Sequence, residues 1–295
     1  MKAEQNRILI IACGDIGGGV AEHFLAQGWA VSAMRRNISQ LPDGVEGIAA
    51  DLTDAQSMAQ CPPLAADYVL FTLTPARGDG GYEAVFQQGL ERVLAKLSRA
   101  PKRIFFVSST GVYDQVDHEW IDESSATEPS RASGQSILKA EQRIAEAAQE
   151  QGCNYSLIRF GGIYGPGREH MLNKIRTGEC APQEPLHYTN RIHRDDCVGF
   201  LSYLIEQDAQ GAVLENCYIG VDTEPASIQE VQSWVAEFIG VPYRCNGEAV
   251  QRTGSKRCRN QRLLASGYRL LYPNYRAGFT QILAAPAQEK PEITG

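Results

Sequence analysis

The stretch Arg7-Ile8-Leu9-Ile10-Ile11-Ala12-Cys13-Gly14-Asp15-Ile16-Gly17 decides the fold. Arg7 to Cys13 is an apolar run of strand length that ends at glycines. From Ile16 to Gln27 the apolar residues Ile16, Val20, Phe24 and Leu25 recur at the spacing of one helix face. Gly28 ends that helix and Trp29 to Met34 forms a second short strand, which makes a βαβ unit of ~30 residues. The turn inside it fits G-x-G-x-x-G with Ala12 in the first glycine slot. Gly14 would let the backbone approach a pyrophosphate, Gly17 would let the helix pack closely on the strand, and the helix N-terminus offers unpaired N–H groups to an anion. Cys13, Gly14, Asp15, Ile16 and Gly17 are therefore the expected phosphate contacts, with a turn built for tight packing alone as the alternative. Gly18 and Gly19 add flexibility without evident purpose.

Outward from this unit the pattern repeats. Strands are expected at Val45 to Ala50, Asp67 to Thr72, Ile104 to Ser108 and Tyr155 to Phe160, with helical patterns at Tyr82 to Ser98 and Ser136 to Glu150. Such alternation implies an α/β, Rossmann-type doubly wound parallel sheet with helices on both faces. After Tyr164 the regularity loosens: Gly165-Pro166-Gly167 and Cys180 to His187 are turn-rich, and Ser227 to Ile239 is an amphipathic helix. The expected division is a dinucleotide-binding domain over residues 1–165 and about 190–220. A smaller C-terminal substrate lobe takes about 166–189 and 221–285, and a loose tail follows at 286–295.

The 295 residues carry 43% hydrophobic and 21% charged side chains, as an ordinary globular protein does, and a formal charge of -7 that opposes binding to nucleic acid. No signal-peptide core or membrane-spanning apolar run is present. The eight cysteines form no C-x-x-C pair and read as reduced thiols in a cytoplasmic protein.

An NAD-binding unit of this kind places Asp or Glu at the end of the second strand to accept bonds from the ribose hydroxyls. Arg35-Arg36 stands there instead. A carboxylate would repel a 2′-phosphate, whereas guanidiniums pair with it and stack on adenine, so the expected cofactor is NADP before NAD. A solvated basic pair is the alternative. Asp51-Leu52, after the third strand, stands where a carboxylate reaches the adenine amino group. Equally, Asp51 or Thr53 would cap the next helix.

Three later segments resemble the extended short-chain dehydrogenase/reductases, the epimerase and dehydratase family. Val107-Ser108-Ser109-Thr110-Gly111-Val112-Tyr113 resembles its V-S-S-x-x-V-Y-G segment, and Arg159-Phe160-Gly161-Gly162-Ile163-Tyr164-Gly165-Pro166-Gly167-Arg168 its R-x-x-x-x-Y-G-P-G-R segment. Asn190-Arg191-Ile192-His193-Arg194-Asp195-Asp196 resembles its I-H-V-D-D segment. The resemblance implies a Rossmann domain with a lobe closing over a small polar substrate, a sugar nucleotide among the candidates, and dimers through the helix pair at 82–98 and 136–150. It also implies a Ser-Tyr-Lys proton relay in which the lysine lowers the tyrosine pKa. By register Ser109 takes the serine place. Ser133-Gly134-Gln135-Ser136-Ile137-Leu138-Lys139-Ala140-Glu141 laid on Y-G-x-S-K-L-x-x-E puts Ser133 in the tyrosine place and Ile137 in the lysine place. The chain thus resembles an atypical member, an oxidoreductase with a changed active site or, alternatively, a non-catalytic NADP-binding sensor.

The same resemblance sets Thr72-Leu73-Thr74 beside the cofactor, with threonine hydroxyls available to ribose or phosphate, or else simply a strand ending at Pro75. Tyr164 and Tyr113 are the phenols that remain, Tyr164 the better placed because its loop faces the family cleft. Each is otherwise a packing residue. Ser109, Tyr164 and Ser133 are the catalytic candidates. His193, with His170 and His187, fits no metal-ligand spacing, and the aspartates after it read as a helix start. Arg168 and Arg191 would clamp a substrate anion or be solvated. Cys13 is a small buried filler, or else a sensitised thiol at a helix N-terminus.

Overall fold

The computed structural model describes residues 5–75, 78, 80–248 and 254–284, so the expected tail at 286–295 lies outside the described residues. In chain order the first half runs β1 (Arg7–Ile11), α1 (Asp15–Ala26), β2 (Ala30–Arg35), β3 (Glu46–Ala49), α2 (Ala55–Gln60) and β4 (Tyr68–Phe71). Then come α3 (Gly81–Glu83), a π-helical turn (Ala84–Gly89), α4 (Leu90–Leu94), β5 (Arg103–Ser109), β6 (Trp120–Ile121), α5 (Ala132–Gln151) and β7 (Asn154–Phe160). The second half adds β8 (Gly162–Tyr164), α6 (His170–Thr177), β9 (Tyr188–Thr189), β10 (Arg191–His193), α7 (Arg194–Ala209) and β11 (Cys217–Gly220). It ends with β12 (Ala226–Ser227), α8 (Ile228–Phe238), β13 (Arg257–Cys258), α9 (Gln261–Ala265) and α10 (Tyr275–Ala284).

Seven strands form one parallel sheet in the order β11-β7-β5-β4-β1-β2-β3. This is the doubly wound α/β architecture. The order reverses between β1 and β4, and the carboxyl ends of those strands open the crevice where such folds take their ligands. The pleat sorts β1 between two cores: Leu9 and Ile11 join the cluster that holds α4 and α5 residues, while Ile8 and Ile10 join the one that holds α1 and α7 residues. Both faces are thus buried, which is why β1 is apolar throughout.

Several elements differ from the sequence expectation. The helix expected from Ser136 begins at Ala132, and the one expected over 82–98 is interrupted by the π-turn and ends at Leu94. β11 adds a seventh strand, reached after α7 has packed against α1. Gly19 has a purpose: a Cβ there would lie 2.8 Å from Val198 Cγ2, so the glycine lets α1 approach α7. A third core is built on Leu172, Ile175, Val231, Val235, Tyr275 and Phe279.

Candidate functional site

The turn after β1 is held by its neighbours. Ala12 takes a left-handed conformation (φ 59°), a strain of about 1–2 kcal/mol for a residue with a Cβ. Thr72 Oγ1 compensates by donating towards the carbonyls of Ile11 (3.1 Å) and Ala12 (3.0 Å). The Thr72 hydroxyl is therefore committed to the turn, which corrects the expectation that it faces ribose or phosphate. Leu73 is buried in the core, and Thr74 alone of the three lines the cleft.

The two pattern glycines serve different ends. A Cβ on Gly17 would meet Thr72 Oγ1 at 2.9 Å and Ile10 Cγ2 at 3.0 Å, so packing demands glycine. A Cβ on Gly14 would meet nothing nearer than the Ala12 carbonyl at 3.9 Å, and its φ of -96° is open to any residue. Packing does not require that glycine, and the first turn of α1 is left open to close approach. Beside it Cys13 is buried, and burial pushes its thiol up to about 11, so it packs in the core and presents no thiolate.

A cleft of about 330 Å³ opens over this turn, between the ends of β1, β2 and β3. Gly14, Arg35, Arg36, Asp51, Leu52 and Thr74 line it together with Cys13, so the structure gathers seven of the twelve sequence-predicted cofactor residues in one place. The two arginines divide the work. Arg35 Nη1 donates to the carbonyls of Cys13 (3.1 Å) and Gln40 (3.2 Å), which pins the turn to the end of β2. Arg36 is 80% exposed, and the nearest carboxylate is Asp51 Oδ2 at 3.9 Å. Its guanidinium stands on the cleft rim and makes no hydrogen bond among the described residues, only the long contact to Asp51. Asp51 Oδ1 accepts from Thr53 N (2.9 Å) and Thr53 Oγ1 (2.7 Å), and the cap of α2 is Asp54, whose side chain accepts from Gln56 N. The capping role considered for Asp51 or Thr53 thus passes to Asp54.

Ser109 ends β5, its Oγ accepting from Gly111 N at 3.0 Å while its own proton has no acceptor among the described residues. Ser133 lies half-buried in the first turn of α5. Ile137 follows four residues on in the core, and Glu141 four beyond that, so one helix face carries all three. Glu141 is tied to Arg159 by paired contacts of 2.9 and 2.6 Å and accepts from Ser108. Arg159 also donates to Tyr113 Oη at 2.6 Å. Tyr113 is therefore fully engaged in the core, where burial raises its pKa above the ordinary value although Arg159 opposes this.

Tyr164 is also placed differently from expectation. It is buried in the third core, stacked on Phe279 with centroids 4.8 Å apart, and its hydroxyl faces the Asn274 carbonyl at 3.4 Å. Burial raises its pKa too, so neither tyrosine is poised as a base. His193 caps α7, its Nδ1 accepting from Asp195 N (3.2 Å), and burial lowers its pKa. Asp196 does not cap; it accepts from Leu271 N, Tyr272 N and Tyr268 Oη and so anchors the chain ahead of α10. Arg191 is buried beneath Tyr275, whereas Arg168 is exposed and paired with Asp15.

One group escaped the sequence reading. Lys256 is almost wholly buried, with Nζ donating to the Tyr113 carbonyl at 2.9 Å and its pKa lowered by that burial. It brings a cation from the residue before β13 to the loop that follows Ser109.

Comparison with known proteins agrees with this geometry. The profile of an NAD(P)H-binding family matches residues 12–208, well over half of the chain. A Methylobacillus flagellatus structure that carries the provisional name NAD-dependent epimerase/dehydratase is 34% identical, covers 95% of this chain and 98% of its own, and superposes with a TM-score of 0.76. The chain belongs to an NAD(P)H-binding, epimerase/dehydratase-like family. Protein YeeZ of Escherichia coli K12 is 26% identical over 222 residues, 72% of this chain and 77% of its own. The 3-diazoavenalumate denitrifying reductase of a Streptomyces species is 25% identical over 261 residues, 80% of this chain and 82% of its own. No helix among the described residues is long and apolar enough to cross a membrane.

Proposed function

We propose that this family member is a cytoplasmic, NADP-dependent oxidoreductase with a non-standard active site, acting on a small polar substrate held between the two lobes. The observation that carries the reading is Arg36, an exposed guanidinium on the cleft rim at the end of β2, where an NAD-specific site would set a carboxylate. Gly14 supports it, since the open space over that residue suits a pyrophosphate. When bound, the dinucleotide supplies or accepts the hydride.

The chain's own residues orient the substrate. Ser109 donates its hydroxyl proton to the substrate oxygen while accepting from Gly111 N, and half-buried Ser133 provides a second hydroxyl where the family resemblance sets its tyrosine. With Tyr113 and Tyr164 committed to the cores, proton exchange falls to water and these hydroxyls, which favours reduction of an already polarised group over abstraction of a proton from an alcohol. The relative named as a reductase fits that direction. The test is turnover of NADPH with a panel of sugar nucleotides, aldehydes, ketones and other electrophilic small molecules. Loss of reduced-nicotinamide absorbance with at least one class is expected, and absence of turnover across the panel would contradict an enzyme. The commitment of both tyrosines also favours a second reading, a non-catalytic NADP sensor, whose mark would be tight NADPH binding without turnover.

A further inference from the structure

Asp15 sits in the first turn of α1, beside the N–H groups that a dinucleotide's diphosphate would occupy, and a lone carboxylate there would repel that anion. Two arginines remove the conflict. Arg194, at the start of α7, places Nε 2.9 Å from Asp15 Oδ1 and Nη1 2.9 Å from Asp195. Arg168 comes from the smaller lobe, two residues before α6, with Nε at 3.2 Å and Nη2 at 2.9 Å from Asp15 Oδ2. Its loop is seated by Gly165, where a Cβ would lie 2.8 Å from Arg194 Cβ.

The two guanidiniums are not used alike. Arg194 spends both terminal nitrogens and Nε on Asp15 and Asp195. Arg168 makes no hydrogen bond through Nη1 among the described residues, and it is the more exposed of the two.

We infer that Arg168 is a diphosphate-binding residue carried by the smaller lobe: Asp15 holds the guanidinium against the glycine turn and its free Nη1 edge donates to the bound dinucleotide. The inference rests on the dinucleotide reading above. It makes lobe position and cofactor occupancy mutually dependent, because the same side chain bridges the two domains and the ligand, and such coupling is reciprocal.

A double-mutant cycle separates direct contact from mere neutralisation of Asp15. NADPH is titrated calorimetrically into the full chain and into Arg168→Ala, Asp15→Asn and the double variant, with circular dichroism melting to verify folding. Arg168→Ala is expected to weaken binding by about tenfold, the scale of one partly exposed charge-assisted bond. In the Asp15→Asn background, where an amide oxygen still accepts from the guanidinium, Arg168→Ala should still cost at least about fivefold. Equal affinities for Asp15→Asn and the double variant would overturn the inference, since Arg168 would then be a counter-ion to Asp15 only. If the wild type binds no NADPH, the dinucleotide reading itself falls, a result distinct from equal affinities in the cycle. Hydrogen exchange gives a second readout: NADPH should protect residues 165–177 in the wild type and not in Arg168→Ala, and equal protection in both would also overturn the assignment.

Discussion

The same substitution at the two pattern glycines should have opposite consequences. At Gly17 an added Cβ lies 2.9 Å from Thr72 Oγ1 and 3.0 Å from Ile10 Cγ2. Neither neighbour yields easily: Thr72 is fixed by its two carbonyl contacts and Ile10 lies in the sheet core. Overpacking of this kind costs about 1–3 kcal/mol, and the gain in helix propensity from glycine to alanine offsets at most about 1 kcal/mol. Gly17→Ala is therefore expected to lose about 1–2 kcal/mol of stability, read as a lower urea midpoint at unchanged slope. At Gly14 the nearest atom is 3.9 Å away, so Gly14→Ala should keep wild-type stability within about 0.5 kcal/mol. Its methyl group would instead occupy the approach to the first turn of α1 and weaken NADPH binding by an order of magnitude or more. Paired denaturation and calorimetry on the two variants check this. Gly14→Ala binding NADPH like the wild type, or Gly17→Ala unfolding at the wild-type midpoint, would refute the division of roles.

Two further outcomes follow from buried charge. Arg159→Met leaves the Glu141 carboxylate buried with only Ser108 beside it, and should cost about 3–5 kcal/mol, whereas adding Glu141→Leu should recover part of that loss; urea midpoints decide it. Asp222 is buried beside Arg191 without a direct ion pair, and burial raises its carboxyl to about 7. An acid whose pKa is raised by folding is held protonated more tightly in the native state. Its contribution is therefore full below the unfolded value near ~4 and is lost as pH rises through about 7, by at most about 4 kcal/mol. Asp222→Asn removes that dependence, so its Tm should fall less than the wild type's between pH 5 and pH 8; parallel falls would show that Asp222 is not the titrating group.

The first half of the fold was legible because each central strand is an apolar run closed by turn residues, and the helix between β1 and β2 keeps one apolar face. β11 was not, since Cys217–Gly220 is four residues long and becomes a strand only by pairing with β7. The π-turn at Ala84–Gly89 leaves no periodic signature of its own. Within the site, Gly14, Arg35, Arg36 and Asp51 could be placed because they stand at strand ends of a βαβ unit. The errors came from side-chain direction. Thr72 turns to carbonyls 60 and 61 residues earlier, Tyr164 turns into the third core, and Asp15 meets arginines 153 and 179 residues away. Lys256 approaches Tyr113 across 143 residues, a contact no local pattern encodes.

We propose that the cleft takes a dinucleotide with a 2′-phosphate. Side-by-side calorimetric titration of the wild-type chain with NADPH and with NADH tests it most directly. The expected result is saturable binding of NADPH at least about tenfold tighter than NADH, because Arg36 adds one charge-assisted contact that NADH cannot make. Equal affinities, a preference for NADH, or no binding of either would contradict it.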